Sequence, residues 1–273
     1  MRWATIRTDD GTRAARVDDD VLVELDANDV GELLARGGDA AETGARHAVA
    51  TADYAPVVTH PGKVLCQGLN YRSHILEMGH PLPEHPTLFV KFREALIGAH
   101  DDIHLPPESD AVDWEAELAL VIGRRIRRAS PAEAADAIAG FTVANDISMR
   151  DWQYRSLEWL PGKTWEHATP VGPWLVTPEE LGGTAPDLGI GCEVDGEVRQ
   201  AARTSELVFS PVDLVADAST FVTLEPGDLV LTGTPAGVGH GMDPPCYLAV
   251  GQVVRTTIER IGELRNRCVA APA

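Results

Sequence analysis

The chain is short of cysteine and of basic residues, and it has no long apolar run. Its four thiols, Cys66, Cys192, Cys246 and Cys268, lie far apart with no CxxC pair, so neither a zinc site nor a disulfide framework is expected. All four read as buried thiols. Lys and Arg number 23 against 42 Asp and Glu, for a formal net charge of -19 and a pI near 4.7. Such a field repels phosphate, which argues against a nucleic-acid partner. It attracts metal cations, and it leaves an anionic substrate dependent on locally placed Lys or Arg. No stretch approaches the ~20 apolar residues needed to span a bilayer, so no membrane partner is expected. The opening residues, Met1 to Arg7, do not have the form of a secretory signal, and the expected location is the cytoplasm. Familiar catalytic signatures are missing too. There is no GxSxG elbow, which weakens a serine-hydrolase reading. The glycine-rich run Thr232 to Gly241 has no Gly-Lys-Ser/Thr, and Met242 falls where a dinucleotide loop needs its third glycine.

What the chain does have is 273 residues, 44% of them hydrophobic, with 25 Gly and 19 Pro, the make-up of a turn-rich globular protein able to bury a full core. Residues 3 to 25 alternate as two or three short strands, with turns at Asp9-Asp10-Gly11 and Asp18-Asp19-Asp20. A short helix over Asp29 to Arg36 closes at Gly37-Gly38. This small N-terminal α/β unit, residues 1–58, leads through a proline-containing connection into the main body, residues 59–273. There, strands dominate, with three or four helices packed on them. Ser130-Pro131-Ala132-Glu133 starts a helix with a capping box, running to Ala139. Thr177-Pro178 and Ser210-Pro211 repeat that logic. Ile190 to Gln200 reads as a hairpin turning at Asp195-Gly196. The fold class is α+β and rich in β structure.

Three carboxylates draw attention within the main body. Alternation over Asp113 to Gly123 makes a strand with Glu115 and Glu117 on one face and Trp114, Ala116, Leu118, Leu120 and Ile122 on the other. Phe141 to Asp146 reads as a second strand ending on a third acid. If the three acids converge, burial or a like charge can raise a carboxylate pKa by roughly 3 to 5 units, a cost that a dication removes. Hard oxygen ligands suit Mg2+, Mn2+ or Ca2+ rather than zinc. The same spacing also fits an acidic strand face in water. His74 and Glu77 are three apart, so one helical turn puts them on the same side, as a general base with its orienting acid or as two surface residues. Lys163 reads locally as a loop lysine. The Thr232 to Gly241 run is a tight loop where backbone amides and Thr234 can approach a ligand, or a structural turn. The remaining histidines read as structural or surface, and Trp152, Trp159, Trp165 and Trp174 as core filler.

Together these pieces resemble the fumarylacetoacetate hydrolase family, which includes acylpyruvases and fumarylpyruvate hydrolases. The carrying motifs are Gly68-Leu69-Asn70-Tyr71 with His74 and Glu77, Asp113-Trp114-Glu115-Ala116-Glu117-Leu118, Asn145 to Gln153, Gly162-Lys163, and Thr232 to Gly239. They occur in the family's order over roughly residues 62 to 267. The resemblance implies a mixed β-roll catalytic domain in a homodimer, with the His74 segment as a lid. It implies Glu115, Glu117 and Asp146 as ligands of Mg2+ or Mn2+, with Ca2+ a possible substitute, and His74 with Glu77 as the water-activating pair. It places Lys163 at the developing enolate, and Tyr71, Arg150, Gln153 and Thr234 at the substrate. Two stretches depart from the family pattern: Thr164-Trp165-Glu166-His167 after the lysine, and Lys91-Phe92-Arg93-Glu94-Ala95.

The function this implies is metal-dependent hydrolysis of a carbon-carbon bond in a 2,4-dioxo acid of the acylpyruvate or fumarylpyruvate type, giving pyruvate and a carboxylic acid. The same site, without attack by water, serves oxaloacetate decarboxylation or the tautomerisation of an enol acid, since these reactions share a chelated enolate. A non-enzymatic reading is a protein that binds a divalent metal or an oxo acid.

Overall fold

A computed structural model describes residues 1–272. The alternating N-terminal residues form three strands, Arg2–Thr8, Gly11–Asp18 and Val21–Leu25, which pair antiparallel in sequence and reverse at the two acidic turns. Asp29 caps the following helix, Val30–Ala35, by accepting from the amide of Glu32.

These strands are not a separate sheet. One eleven-stranded sheet runs in the order Glu42–Ala48, Val21–Leu25, Gly11–Asp18, Arg2–Thr8, Thr169–Val176, Ile138–Asn145, Ala116–Ile122, Leu229–Leu231, Val64–Gly68, Thr87–Lys91, with Leu96–Ile97 added beside Thr169–Val176. Pairing is mostly antiparallel, and Leu229–Leu231 beside Val64–Gly68 is parallel. A five-stranded sheet, Glu197–Arg203, Gly189–Val194, Val253–Ile258, Gly262–Ala270, Ile103–Leu105, packs with it, and Val112–Asp113 pairs separately with Ser148–Met149. The fold is α+β and β-rich, as expected. Among the described residues seven α-helices form, more than expected, but three of them have only four residues.

Both faces of the central strands are buried. Along Ala116–Ile122, Ala116, Leu118, Leu120 and Ile122 enter one core cluster, while Ala119 and Val121 enter a second. The sheet therefore has no wet face here, and the reading of Glu115 and Glu117 as an exposed acidic face fails. The expected single strand from Asp113 to Gly123 is also interrupted. Val112–Asp113 and Ala116–Ile122 belong to different sheets, with Trp114 and Glu115 at the crossing.

Ser130 and Glu133 make the expected capping box. The helix nevertheless ends at Ala137, two residues early, because Ile138 pairs with Ile122 and starts the next strand. Sheet pairing overrides the local helical preference of Ile138 and Ala139. The Gly189–Val194 and Glu197–Arg203 hairpin turns at Asp195-Gly196, both at positive φ, as a tight turn of this type requires. No helix among the described residues is long and apolar enough to cross a membrane.

Candidate active site

Strand register brings the acids together. Ala116 lies opposite Asn145 and Glu117 opposite Ala144, so the acids flanking Ala116 meet the residue that follows Asn145. The amide of Asp146 donates to the carbonyl of Glu115 at 2.8 Å, and the amide of Glu115 donates to Oδ1 of Asn145 at 2.9 Å. One carboxylate oxygen from each of Glu115, Glu117 and Asp146 then falls within 4.8 Å of the others, and all three residues are buried.

Three cations are buried with them. Lys163 Nζ donates to Glu115 Oε2 at 2.6 Å and to Asp146 Oδ2 at 2.9 Å. Lys91 Nζ donates to Asp146 Oδ1 at 2.5 Å. Arg150 Nη2 makes ion-pair contacts with Glu115 Oε1 at 2.6 Å and Asp113 Oδ2 at 2.8 Å, without full hydrogen-bond alignment, while its Nε donates squarely to Asp113 Oδ2. Four buried carboxylates, Asp113 included, thus face three buried cations.

The surplus negative charge falls on Glu117. Burial, then Asp146 and Glu115, push its carboxyl well above the ordinary range, and its protein hydrogen bond is a single one from the amide of Gly233 at 2.7 Å. For Glu115, burial works in the same direction, but Lys163 and Arg150 outweigh it and hold the group charged. Burial alone would lower Lys163, yet Asp146 and Glu115 raise it and keep it protonated. An all-oxygen donor set with a net negative charge and one poorly satisfied carboxylate fits a hard dication such as Mg2+ or Mn2+, with Glu115, Glu117 and Asp146 as the holding residues.

The proposed base stands beside this cluster. His74 is only 7% exposed, which overturns the surface reading, and its Nδ1 lies 3.2 Å from Glu77 Oε2. With Nδ1 engaged by that carboxylate, Nε2 is the ring nitrogen left for proton exchange. Glu77 is itself held by the glycine-rich loop, where the amide of Gly237 donates to both of its carboxylate oxygens at 3.1 and 3.3 Å. This loop needs glycine in two places. Gly233 and Gly237 have φ of 101° and 98°, and a Cβ on Gly237 would come within 2.0 Å of the carbonyl oxygen of Arg199. The amides of Gly233 and Gly237 thus serve Glu117 and Glu77.

A narrow cavity of about 60 Å3 joins these groups, and His74, Glu115, Glu117, Arg150, Gln153, Lys163 and Thr234 all line it. Asp146, hydrogen-bonded to Lys163, does not. Tyr71, expected at the substrate, does not line the cavity either. Its ring belongs to the core, because Tyr71 precedes the Arg72–Glu77 helix and its backbone bridges to Leu207. Thr234 is held by Gln200, whose Nε2 donates to Oγ1 at 2.8 Å. A wider groove of about 850 Å3, along Gly189–Glu193 and Arg255–Glu259, touches none of the predicted site residues.

Lys91, Asp113 and Asn145 were not singled out for roles from sequence. Lys91 carried a signal, a charged residue closing the apolar run Leu88-Phe89-Val90. Asp113 heads the acidic motif, yet its carboxylate accepts from the amides of Trp114, Gly239 and His240 as well as from Arg150, partners far apart in sequence. His80 and Trp159, read as surface and core, both line the cavity. The buried thiol reading holds for Cys66, Cys192 and Cys268, whereas Cys246 is half-buried.

Known proteins match this chain over most of its length. Residues 63–269 match the fumarylacetoacetate (FAA) hydrolase C-terminal family, and residues 1–53 match the Rv2993c-like N-terminal family. The mitochondrial oxaloacetate tautomerase FAHD2A of Bos taurus is 46% identical over 214 residues, covering 78% of this chain and 68% of that protein. The crystal structure of 5-carboxymethyl-2-hydroxymuconate delta-isomerase from Mycobacterium smegmatis superposes with a TM-score of 0.84 at 35% identity, covering 99% of this chain and 100% of the other. Fumarylacetoacetate hydrolase from the psychrophile Exiguobacterium antarcticum gives a TM-score of 0.89 at 31% identity over the whole of both chains. On the extent of these matches, the chain belongs to the fumarylacetoacetate hydrolase family.

Proposed function

We propose that this protein is an oxo-acid tautomerase that interconverts the enol and keto forms of oxaloacetate or a similarly short 2-oxo dicarboxylate. The observation that carries this reading is the cavity. Arg150 and Lys163 in its lining offer cationic partners to the carboxylate of an acid, and so narrow a space suits a short substrate better than a long one. A long fumarylpyruvate-type chain is a poor match for that space. The names of the bovine tautomerase and the mycobacterial isomerase support the same choice, which favours the isomerase alternative over carbon-carbon hydrolysis.

Converting the enol to the keto form removes the proton from the enol oxygen and adds one to the neighbouring carbon. The substrate passes through an enolate. A divalent cation bound by Glu115, Glu117 and Asp146 would supply Lewis-acid stabilisation of that charge. Arg150 and Gln153 bind and orient the carboxylate end. Lys163, held protonated among carboxylates, faces the oxygen where charge develops, and such a preorganised donor lowers the barrier because it needs no reorganisation during reaction. His74, oriented by Glu77, is the group left to carry the proton to or from carbon through Nε2.

The test is an enol-oxaloacetate absorbance assay with Mg2+, run beside acetylpyruvate hydrolysis and release of CO2 from oxaloacetate. Enzyme-dependent ketonisation faster than the other two reactions supports the reading. Loss of acetylpyruvate absorbance with no ketonisation would move the assignment to hydrolysis, which the His74–Glu77 pair serves equally well by activating water.

A further inference from the structure

The cavity has an unlike lining. Glu115, Glu117, Arg150 and Lys163 bring charge to it, whereas Met78, Phe89 and Trp159 bring apolar surface. Trp159 sits immediately before the Leu160–Lys163 helix, and its carbonyl accepts from the amide of Gly162 at 2.9 Å. Its indole is pressed onto Gly68, so closely that a Cβ there would lie 2.4 Å from Cζ3 and 3.0 Å from Cη2. On its other side the indole meets Phe89 edge-on, with ring centroids 5.7 Å apart. The Phe89 ring in turn lies 5.0 Å from Lys163 Nζ. The half-buried indole thus lies between a strand with no side chain at the contact and an aromatic ring that borders the reactive lysine. Nothing in this packing lets the indole retreat toward Gly68 or Phe89.

We infer that Trp159, seated on Gly68, is the specificity-determining residue that sets the length limit of the substrate. A short oxo acid lies between the charged groups and the indole. An acyl group extended by several carbons must displace the indole, and a packed pocket resists added methylenes because neighbouring side chains are driven off their rotamers. In a hydrophobic pocket each methylene changes discrimination by roughly 10-fold or more. The inference rests on the proposed reading of the cavity as an oxo-acid site, and it deepens that reading by excluding long-chain 2,4-dioxo acids.

Calorimetry with Mg2+ tests it, using oxalate as the shortest probe and 2,4-dioxo acids with acyl chains of increasing length. In the wild-type protein, affinity should fall with chain length. In Trp159→Ala the ratio of long-chain to oxalate affinity should rise at least about 10-fold. Trp159→Phe, which keeps an aromatic wall of smaller reach, should move the ratio part of the way and covers the case in which the alanine variant misfolds. An unchanged length dependence in a folded variant that still binds oxalate would overturn the inference. Failure of the wild-type protein to bind oxalate would instead sink the oxo-acid reading on which it stands.

Discussion

The carboxylate of Asp113 and the guanidinium of Arg150 form a buried ion pair, with Nε and Nη2 of the arginine each 2.8 Å from Oδ2. Asp113 does not line the cavity, yet it aims a cation that does, and through the amides of Gly239 and His240 it also ties down the glycine-rich loop. Removing Asp113 leaves Arg150 its contact with Glu115 but strips the amides of Trp114, Gly239 and His240 of their acceptor. Asp113→Ala is therefore expected to cost at least about 2 kcal/mol of stability, measured by urea denaturation. A loss within about 0.5 kcal/mol, the range of an ordinary surface substitution, would refute the structural role given to the pair.

His74→Ala removes the only group assigned to carry the proton while leaving every carboxylate of the cation site in place. Ketonisation should slow by about 100-fold or more. Mn2+ affinity, read by calorimetry on the same preparation, should stay near the wild-type value. Near-normal turnover would remove His74 from the mechanism. Glu77→Gln should produce a smaller loss of rate, because the amide still reaches His74 but no longer stabilises its charged form.

Glu117 links cation binding to pH. Burial, Asp146 and Glu115 raise its pKa above that of an unfolded glutamate, so without a cation the folded protein holds a proton that the unfolded chain has already released. Stability of the cation-free protein should therefore fall as pH rises from the ordinary carboxylate range through the raised pKa. Cation binding needs the ionised form, so it should release a proton, and affinity should strengthen over the same rise in pH. Titrating Mn2+ in two buffers of different ionisation enthalpy measures that release. Glu117→Gln should abolish both the release and the tight binding.

The cysteines give a test of burial independent of the site. Burial pushes Cys192 and Cys268 up to about 12 and raises Cys66 as well, whereas Cys246 is half-buried. Only the thiolate reacts, so at a pH of about 8 the three buried thiols should resist iodoacetamide in the native protein. Mass spectrometry should find label on Cys246 alone before denaturation and on all four cysteines afterwards. Rapid native labelling of Cys192 would contradict the packing of the five-stranded sheet.

Much of this site could be read along the chain because its signals are local. Glu115 and Glu117 share a face through strand periodicity, His74 and Glu77 through one helical turn, and Ser130 with Glu133 through a capping box. Each depends on backbone geometry within a few residues. The order of the motifs was enough to indicate the family. Readings that depended on burial fared worse. His74 and Lys163 looked like surface residues and Trp159 like core.

The amino-acid sequence by itself determined which chemical groups were available and in which short-range pairs: three acids of the right type, a histidine beside a glutamate, a lysine after a glycine, and strands punctuated by tight turns. Only the tertiary structure decided that the three acids are buried together beside one small cavity, that Lys91 and Asp113 belong with them, and that Trp159 lines that cavity. The reason is physical. Strand alternation says which side chains point the same way, but not whether that face meets water or a second layer, and an ionisable group changes its charge, partners and cost according to that difference.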